Sequence, residues 1–264
     1  MDIERKTFTP PWDKPEFRRS YNFASLKKGA QAARLIGPAL ARKSDLAWLD
    51  GGSGSGKSAS FLLDNLMRRN IFPGQITLVD RNREALNKGF VQKFLLENVA
   101  EGARPKVLSQ PADIKSLPFI PEQSIDLYTL SSVIEHLDPM ERKAVLEEAQ
   151  RILTRNGVLL IVCPLASPFA KAIHRIEKRL GLVSGGSVDN VGHIDETHKE
   201  WFTRDLLVST IERESDFRLR GEDFYIYGSI RSFWRVWLGS RLQALMPTSA
   251  RKTLAMGGMF VFQK

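Results

Sequence analysis

The chain has 264 residues, of which 42% are hydrophobic and 26% are charged, a composition typical of a globular protein that builds its own core. Its one cysteine, Cys163, excludes a disulfide framework and a multi-cysteine zinc site, and no apolar run reaches the roughly 18–20 residues that a transmembrane helix requires. The net charge of +9 resides in residues 168–181 and 229–264, which favours either an anionic partner or a solvated basic face.

The predicted elements alternate between strands and helices. An N-terminal arm and a helix over about 24–41 form the unit 1–44, and a second unit covers 45–264. Within it, strands are predicted at 46–49, 75–79, 106–108, 125–130 and 158–163, and helices at 58–69, at 83–98 and from Pro139 to a stop at Asn156-Gly157. This alternation is typical of a doubly wound, mostly parallel α/β sheet, and residues 259–263 are expected to close it as an antiparallel edge strand.

The segment from Asp50 to Ser58, DGGSGSGKS, fits two ligand-binding patterns at once. Gly51, Gly56, Lys57 and Ser58 match G-x-x-x-x-G-K-[ST], the loop in which backbone N–H groups and a lysine bind the phosphates of a nucleotide and a serine binds magnesium. The same stretch matches D-x-G-x-G-x-G, in which the glycines let the backbone approach an adenosyl cofactor.

The next predicted strand favours the adenosyl cofactor. It ends at Asp80, 24 residues after Gly56, where an acidic side chain can bind ribose hydroxyl groups. A nucleotide triphosphatase needs a later strand that ends in a magnesium-binding acid, but strand 125–130 is followed by two serines. Lys57 and Ser58 are therefore expected to be ordinary helix residues, and a P-loop nucleotide-binding protein that uses residues 51–58 is kept as an alternative.

Five stretches in the correct order resemble the class I S-adenosylmethionine-dependent methyltransferases, in particular the ubiquinone-biosynthesis branch of methyltransferase type 11. They are 49–56, 76–80, 112–119, 124–139 and 149–164, with looser similarity over 190–227. The resemblance implies an enzyme with a Rossmann-like, seven-stranded sheet, a helical lid formed by 165–200 and 229–257, and S-adenosyl-L-methionine as its cofactor. It implies these cofactor-binding residues: Asp50, Gly51, Gly52, Ser53, Gly54, Gly56, Asp80 at the ribose, Arg81, Asp113 at the adenine, Ile114 and Ser131.

Methyl transfer to a hydroxyl group or a protonated amine requires a base, and histidine is the usual one. His136 follows the fourth predicted strand, and His193 and His198 follow the basic insertion, where they could line the same opening. His136 and His193 are the predicted catalytic residues, with a structural role as the alternative for each. No metal site is predicted, because Glu135-His136 resembles the Glu-x-x-Glu-His metal motif of small-RNA 2′-O-methyltransferases but Ser132 stands in place of its first carboxylate.

The predicted reaction is methyl transfer to a small-molecule or lipid-linked acceptor, which can be anionic. Apolar helical stripes that begin at Phe169 and Ile230 are expected to cover the substrate pocket, and peripheral contact with an anionic membrane is the alternative. The positive charge also favours RNA as an acceptor, although no RNA-binding module is visible. The charged N-terminus lacks an apolar signal region, so a cytoplasmic location is expected, and Cys163 is expected to be a buried structural thiol.

Overall fold

A sheet of seven strands runs through the part of the chain that the computed structural model describes, which comprises residues 20–41, 43, 45–172, 198–226, 239 and 241–264. The strands are β1 (Leu46–Gly51), β2 (Pro73–Asp80), β3 (Lys106–Pro111), β4 (Ile125–Ser131), β5 (Leu153–Pro164), β6 (Arg218–Tyr225) and β7 (Gly257–Gln263). Their spatial order is β3-β2-β1-β4-β5-β7-β6, and all run parallel except β7, which is antiparallel to both of its neighbours. The predicted doubly wound, mostly parallel sheet is confirmed, and each of the six predicted runs lies within an observed strand that extends beyond it.

Helices cover both faces of this sheet. They are α1 (Ser20–Leu40), α2 (Lys57–Met67), α3 (Arg83–Leu86), α4 (Phe90–Asn98), α5 (Pro139–Ile152), α6 (Arg204–Glu214) and α7 (Thr248–Thr253). Helices α1, α2 and α4 pack on the face that carries Trp48 and Leu160, whereas α5 and α6 pack on the face that carries Leu49 and Ile161. Burial on both faces explains why the central strands are continuous apolar runs. None of the described helices is both long enough and apolar enough to cross a membrane.

The start of α5 is confirmed, but its predicted end is wrong. The Asp138 carboxylate accepts the N–H of Glu141 at 2.8 Å and the Glu141 carboxylate accepts the N–H of Asp138 at 3.2 Å, which is a capping box with Pro139 at the first helical position. The helix ends at Ile152, and β5 begins directly afterwards. Gly157 lies in β5, where a Cβ atom would stand 3.0 Å from the Ile125 carbonyl oxygen, so close strand packing and not a helix stop requires this glycine.

The helix predicted over 83–98 is interrupted. Helix α3 ends at Leu86, and Gly89, the residue before α4, has a φ of 59°, a left-handed conformation that lets α4 start in a new direction. The N–H of Phe90 then donates to the carbonyl oxygen of Ser55 at 3.2 Å. Because of this break, the first turn of α4 lies against the glycine-rich loop that follows β1.

The last predicted strand is antiparallel as expected, but it is not at the edge. β7 lies between β5 and β6, and six of its seven residues are buried. At this end of the sheet the edge strand is β6, whose first half is largely polar and incompletely buried, the pattern of a strand with one side facing solvent. That polarity is why the apolar periodicity of the sequence did not predict β6.

The predicted helical lid falls largely outside the described residues. Residues 173–197 and 227–238 lie outside them, as do His193 and the arm 1–19. Within the predicted lid segments, the structure shows short helical stretches at 168–172 and 241–245, in addition to α7. Cys163 is fully buried, and burial raises the pKa of its thiol well above the ordinary value, which agrees with an inert structural residue.

Candidate active site

The carboxyl ends of β1, β2 and β4 meet at the point where the strand order reverses, between β1 and β4. Such a switch point leaves a crevice in which open α/β sheets bind ligands. The glycine-rich loop 51–56, Asp80 and Ser131 lie at these three strand ends. The structure therefore brings together residues that are up to 80 positions apart in the sequence.

Three glycines of the loop adopt left-handed conformations for different reasons. Gly52, Gly54 and Gly56 have φ values of 65°, 54° and 77°. A Cβ atom at Gly52 would stand 2.5 Å from Val133 Cγ2, so packing requires glycine there, and one at Gly56 would make a tight contact of 3.2 Å with Leu78 Cδ1. A Cβ atom at Gly54 would meet no described atom within 4 Å. Gly54 is therefore the loop residue that faces open space.

Asp80 holds this loop. One carboxylate oxygen of Asp80 accepts the N–H of Gly54 at 2.7 Å, and the other accepts the N–H of Asn82 at 2.8 Å. In a phosphate-binding loop that glycine N–H would be available to the anion, and a carboxylate beside it repels phosphate. The Asp80 carboxylate retains lone pairs that can accept hydroxyl groups. This geometry agrees with a ribose site and not with a triphosphate site.

Asp113 and Arg81 form the rim beyond β2. Arg81 Nη2 lies 2.8 Å from Asp113 Oδ2, and the backbone N–H of Lys115 donates to Asp113 Oδ1 at 3.0 Å. Burial alone would raise the pKa of Asp113, but the Lys115 N–H and the Arg81 guanidinium lower it overall. Asp113 is thus held ionised as a hydrogen-bond acceptor. The side chain of Ile114 packs in the core.

Asp50 is a buried carboxylate at the end of β1, with 3% of its surface exposed. The Thr129 hydroxyl donates to Asp50, and the Trp48 indole N–H donates to the Thr129 oxygen at 2.9 Å. Burial, assisted by the negative charge of Asp80, raises the pKa of Asp50 to about 7 against the opposing effect of the Thr129 hydroxyl. A buried carboxylate with so high a pKa favours a cationic ligand group nearby.

Backbone hydrogen bonds build the acceptor side of the site. A single 3₁₀ turn, Ile134–His136, follows β4. The N–H groups of Lys199 and Glu200 both donate to the carbonyl oxygen of Glu135, at 2.9 and 3.2 Å. The segment that begins at residue 198 is therefore fixed against the turn after β4.

This arrangement brings two histidine rings together. The rings of His136 and His198 meet edge to face with centroids 4.7 Å apart, and the Trp201 ring lies 5.3 Å from His198. His136 occupies the expected position after β4. Its neighbour is His198, whereas the predicted catalytic residue His193 is outside the described residues. The sequence placed His198 near this opening without selecting it, because no local pattern distinguishes it from His193.

Within the described ranges, one group of side chains has the composition of a metal site. Glu135, His136 and His198 each offer a ligand atom, and these atoms lie within 4.8 Å of one another. Two imidazoles and one carboxylate can bind zinc or iron. The expectation that the protein has no metal stays a prediction.

The sequence patterns also missed Lys28 on α1. Its ammonium nitrogen lies 4.2 Å from the centroid of the Tyr225 ring. Burial lowers the pKa of Lys28 to about 8, against the opposing effect of the Glu135 charge. No local signal marks this residue, because α1 reaches the site through packing between distant parts of the chain. Lys57, which the phosphate-loop pattern did include, is the first residue of α2, and burial lowers the pKa of its ammonium group.

The residues at the strand ends fit an adenosyl cofactor. The open space at Gly54 allows a ligand to approach the backbone closely, and the buried Ser53 hydroxyl oxygen has no hydrogen-bond partner among the described residues. Asp80 and Asp113 offer acceptors for hydroxyl and amino groups, and Asp50 offers a buried carboxylate to a cation.

Comparisons with known proteins agree with this fold. A family model described as a methyltransferase domain matches residues 49–161, whereas no protein with a curated description matches the chain. The chain is similar to magnesium protoporphyrin IX methyltransferase from Synechocystis PCC 6803 with bound SAH (11% identity, TM-score 0.57, covering 93% of this chain and 86% of that one). It is similar to 1,6-didemethyltoxoflavin-N1-methyltransferase from Burkholderia thailandensis (13% identity, TM-score 0.53, covering 92% of this chain and 79% of that one). It is also similar to the small RNA methyltransferase HEN1 (15% identity, TM-score 0.56, covering 100% of this chain and 27% of that one).

At these identities the structural neighbours establish the fold, and the family model identifies residues 49–161 as a methyltransferase domain. The matched residues 49–161 contain the glycine-rich loop, Asp80, Asp113 and His136, which are the groups that the geometry places around the crevice. The fold, the matched domain and the cofactor-binding residues agree with one another. Residues 49–161 match a methyltransferase domain, and this match, the fold and the residues around the crevice support a class I S-adenosylmethionine-dependent methyltransferase with S-adenosylmethionine as its cofactor.

Proposed function

We propose that this methyltransferase acts on a small-molecule or lipid-linked acceptor, which can be anionic, and not on RNA. The observation that supports the proposal is the pairing of cations around the opening. Lys199 Nζ lies 2.8 Å from a Glu141 oxygen, Lys115 Nζ lies 3.3 Å from the other, and Arg142 binds Glu214. Because these cations already bind carboxylates, they are not available to neutralise the phosphates of an RNA strand.

One set of residues serves the cofactor side of the crevice and another serves the acceptor side. Bound S-adenosylmethionine supplies a methyl group on a sulfonium sulfur. Asp80 would accept hydrogen bonds from the ribose hydroxyls, Asp113 would accept one from the adenine amino group, and the open space at Gly54 would give the cofactor close access to the backbone. On the acceptor side, the imidazole nitrogen of His136 or His198 takes the proton that a hydroxyl group or an amine must lose. Positioning supplies most of the remaining catalysis, because the transfer is an in-line displacement.

Calorimetric titration with S-adenosylhomocysteine, and separately with magnesium-ATP, tests the cofactor site. We expect binding of the first and no binding of the second. Asp80→Ala should weaken S-adenosylhomocysteine about 10- to 100-fold, because it removes charge-assisted hydrogen bonds to the ribose and to Gly54. Glu84→Ala, an exposed carboxylate four residues later, is the control and should bind normally. Tight magnesium-ATP binding would contradict the assignment.

The acceptor class is tested with S-adenosylmethionine that carries a radioactive methyl group. Incubation with fractionated cell extract should label the small-molecule or lipid fraction. His136→Ala and His198→Ala, tested one at a time, identify the base as the variant that loses transfer while it still binds S-adenosylhomocysteine. Label that appears only in the RNA fraction would reject the proposed acceptor.

Gly54→Ala provides a separate test of the open space at the loop. Alanine is strained at a φ of 54°, which costs about 1–2 kcal/mol of folding free energy, but its Cβ atom meets no described atom. We expect a small drop in the unfolding temperature and a clear loss of S-adenosylhomocysteine affinity, because the methyl group projects into the ligand space. Normal binding by the folded variant would show that the cofactor does not approach Gly54.

A further inference from the structure

The Glu141 carboxylate lies between the cofactor side and the acceptor side of the crevice. Its Oε1 atom is 3.3 Å from Lys115 Nζ and 3.8 Å from Arg81 Nη2, and both of these cations also contact the Asp113 carboxylate at the rim. Its Oε2 atom is 2.8 Å from Lys199 Nζ, which belongs to the acceptor side. One carboxylate therefore contacts cations from both sides.

The first turn of α5 fixes the position of this carboxylate. Glu141 is the third residue of the helix, and its Oε2 atom accepts the N–H of Asp138 at 3.2 Å as part of the capping box. Its side chain is 20% exposed, less than those of the cations that surround it. Hydrogen bonds from Lys199, from the Asp138 N–H and from Lys115 lower the pKa of Glu141 to about 2, so the carboxylate is ionised at neutral pH.

Lys199 attaches the segment that carries His198 to two elements. Its N–H donates to the Glu135 carbonyl oxygen at 2.9 Å, and its ammonium contacts Glu141 at 2.8 Å and Asp138 at 3.5 Å. An isolated pair as exposed as this one contributes little, but a carboxylate that several cations share forms a network. The histidine is therefore held next to an anchor on α5.

The charge of Glu141 can be removed without removing the helix cap. Glutamine is an ordinary partner in a capping box, so Glu141→Gln keeps the start of α5. The two ammonium groups that converge on this position then repel each other with less compensation. Lys115 retains its contact with Asp113 at 3.4 Å, whereas Lys199 loses its shortest contact and retains Asp138 at 3.5 Å. The acceptor segment is thus the part that loses its anchor.

We propose that Glu141 is a positioning residue for methyl transfer, which holds the segment that carries His198 to the rim of the cofactor side through Lys199. The inference rests on the proposed function, because that function places His198 at the acceptor. Glu141 acts through Lys199 and needs no contact with the cofactor or the acceptor. The first turn of α5 then connects the two sides of the site.

Amide hydrogen exchange tests this anchor without any acceptor. The N–H groups of Lys199 and Glu200 both donate to Glu135, so their exchange reports the opening of the segment. We expect Glu141→Gln to speed exchange at these two amides about 3- to 10-fold and to leave the amides of α5 unchanged. Glu147→Gln, whose carboxylate on the same helix is 61% exposed, is the matched control and should change neither.

Methyl transfer separates positioning from cofactor binding. The probe is the small-molecule or lipid fraction of cell extract, labelled at saturating S-adenosylmethionine. Glu141→Gln and Lys199→Met should bind S-adenosylhomocysteine normally, because Asp80 is unchanged, and should transfer label about 3- to 10-fold more slowly. Lys199→Arg should retain part of the rate. Lys143→Met, which removes an exposed cation of α5, should retain all of it.

Three results would overturn the role of Glu141. They are unchanged exchange at the two amides, faster exchange throughout α5, and a transfer rate that does not fall when exchange becomes faster. Weaker binding of S-adenosylhomocysteine by Glu141→Gln would also overturn it, because the residue would then support the cofactor side. If the unmodified protein labels neither fraction, the proposed acceptor fails, while exchange at the two amides still decides whether Glu141 anchors the segment.

Discussion

Replacing Asp50 by asparagine is expected to stabilise the ligand-free protein and to weaken its binding of the cofactor. The carboxylate is buried, and its pKa is about 7 in the folded protein against an ordinary value of 3.8. Because of this difference, the ionised carboxylate lowers the free energy of unfolding by roughly 4 kcal/mol at high pH. Asparagine fills the same volume without a charge and can still accept the Thr129 hydroxyl.

The sign of the pH dependence follows from the direction of the pKa shift. Between pH 3.8 and about 7 the folded protein binds more protons at Asp50 than the unfolded chain does, so stability falls as the pH rises through this window. The Asp50→Asn variant lacks this loss. Its advantage should therefore be small near pH 4, grow with pH, and reach up to about 4 kcal/mol above pH 7.

Thermal unfolding at pH 4.5 and at pH 8 measures the effect, and calorimetry with S-adenosylhomocysteine at pH 8 measures the cost in binding. The variant should unfold several degrees higher at pH 8 and bind more weakly, because it loses the buried carboxylate that the site offers to a cationic group of the cofactor. Asp205→Asn, an exposed carboxylate, is the control and should change neither quantity. If Asp50→Asn changes the unfolding temperature by the same amount at pH 4.5 and at pH 8, the assignment of a buried carboxylate with a high pKa would be contradicted.

Arg142→Met is expected to be strongly destabilising, by about 3–5 kcal/mol. The Arg142 side chain is 3% exposed, and its guanidinium makes two hydrogen bonds to Glu214, at 2.9 and 3.0 Å, and another to Glu200. It also stands 5.5 Å from the centroid of the Phe202 ring. Methionine fills much of the volume but leaves the Glu214 and Glu200 carboxylates without their buried partner.

Arg213→Met is a matched control for this prediction. Arg213 contacts the same Glu214 at 3.4 Å, but its side chain is 67% exposed, so its loss should cost less than about 1 kcal/mol. Hydrogen bonding to Arg142 lowers the pKa of Glu214 against the opposing effect of burial. The Arg142→Met defect should therefore be largest at neutral pH and shrink below about pH 4.5, where Glu214 becomes protonated without its partner. Denaturant unfolding measures both variants, and equal losses would contradict the argument.

Local signals predicted the parts of the fold that depend on local chemistry. The capping box at Asp138 and the apolar run 158–163 gave the start of α5 and the core of β5, because a helix cap and a doubly buried strand are visible within a few residues. Gly157 was misinterpreted because a glycine required by close packing looks the same in sequence as one that ends a helix. The break at Gly89 was missed for a related reason, since the apolar spacing of 83–98 continues across it.

Residues that lie close together in the sequence could be predicted to meet at the crevice, whereas residues from distant segments could not. Asp50, the loop glycines and Asp80 lie within one strand–helix–strand unit, so their spacing in the sequence indicates that they form one ligand-binding site. Lys28 and His198 enter the site through contacts between segments more than 60 residues apart, and no spacing rule relates such segments. The pairing of His136 with His198 follows from two backbone hydrogen bonds to Glu135, which leave no trace in the residue pattern.

The position of β7 constrains the order in which the sheet can form. Because β7 pairs with β5 on one side and with β6 on the other, a nascent chain that has not yet released residues 257–263 from the ribosome has two unpaired strand edges. Exposed edges of this kind favour pairing with other chains. The sheet can therefore be completed only after this strand has been synthesised. A chain cut before residue 257 would lack the strand that joins β6 to β5.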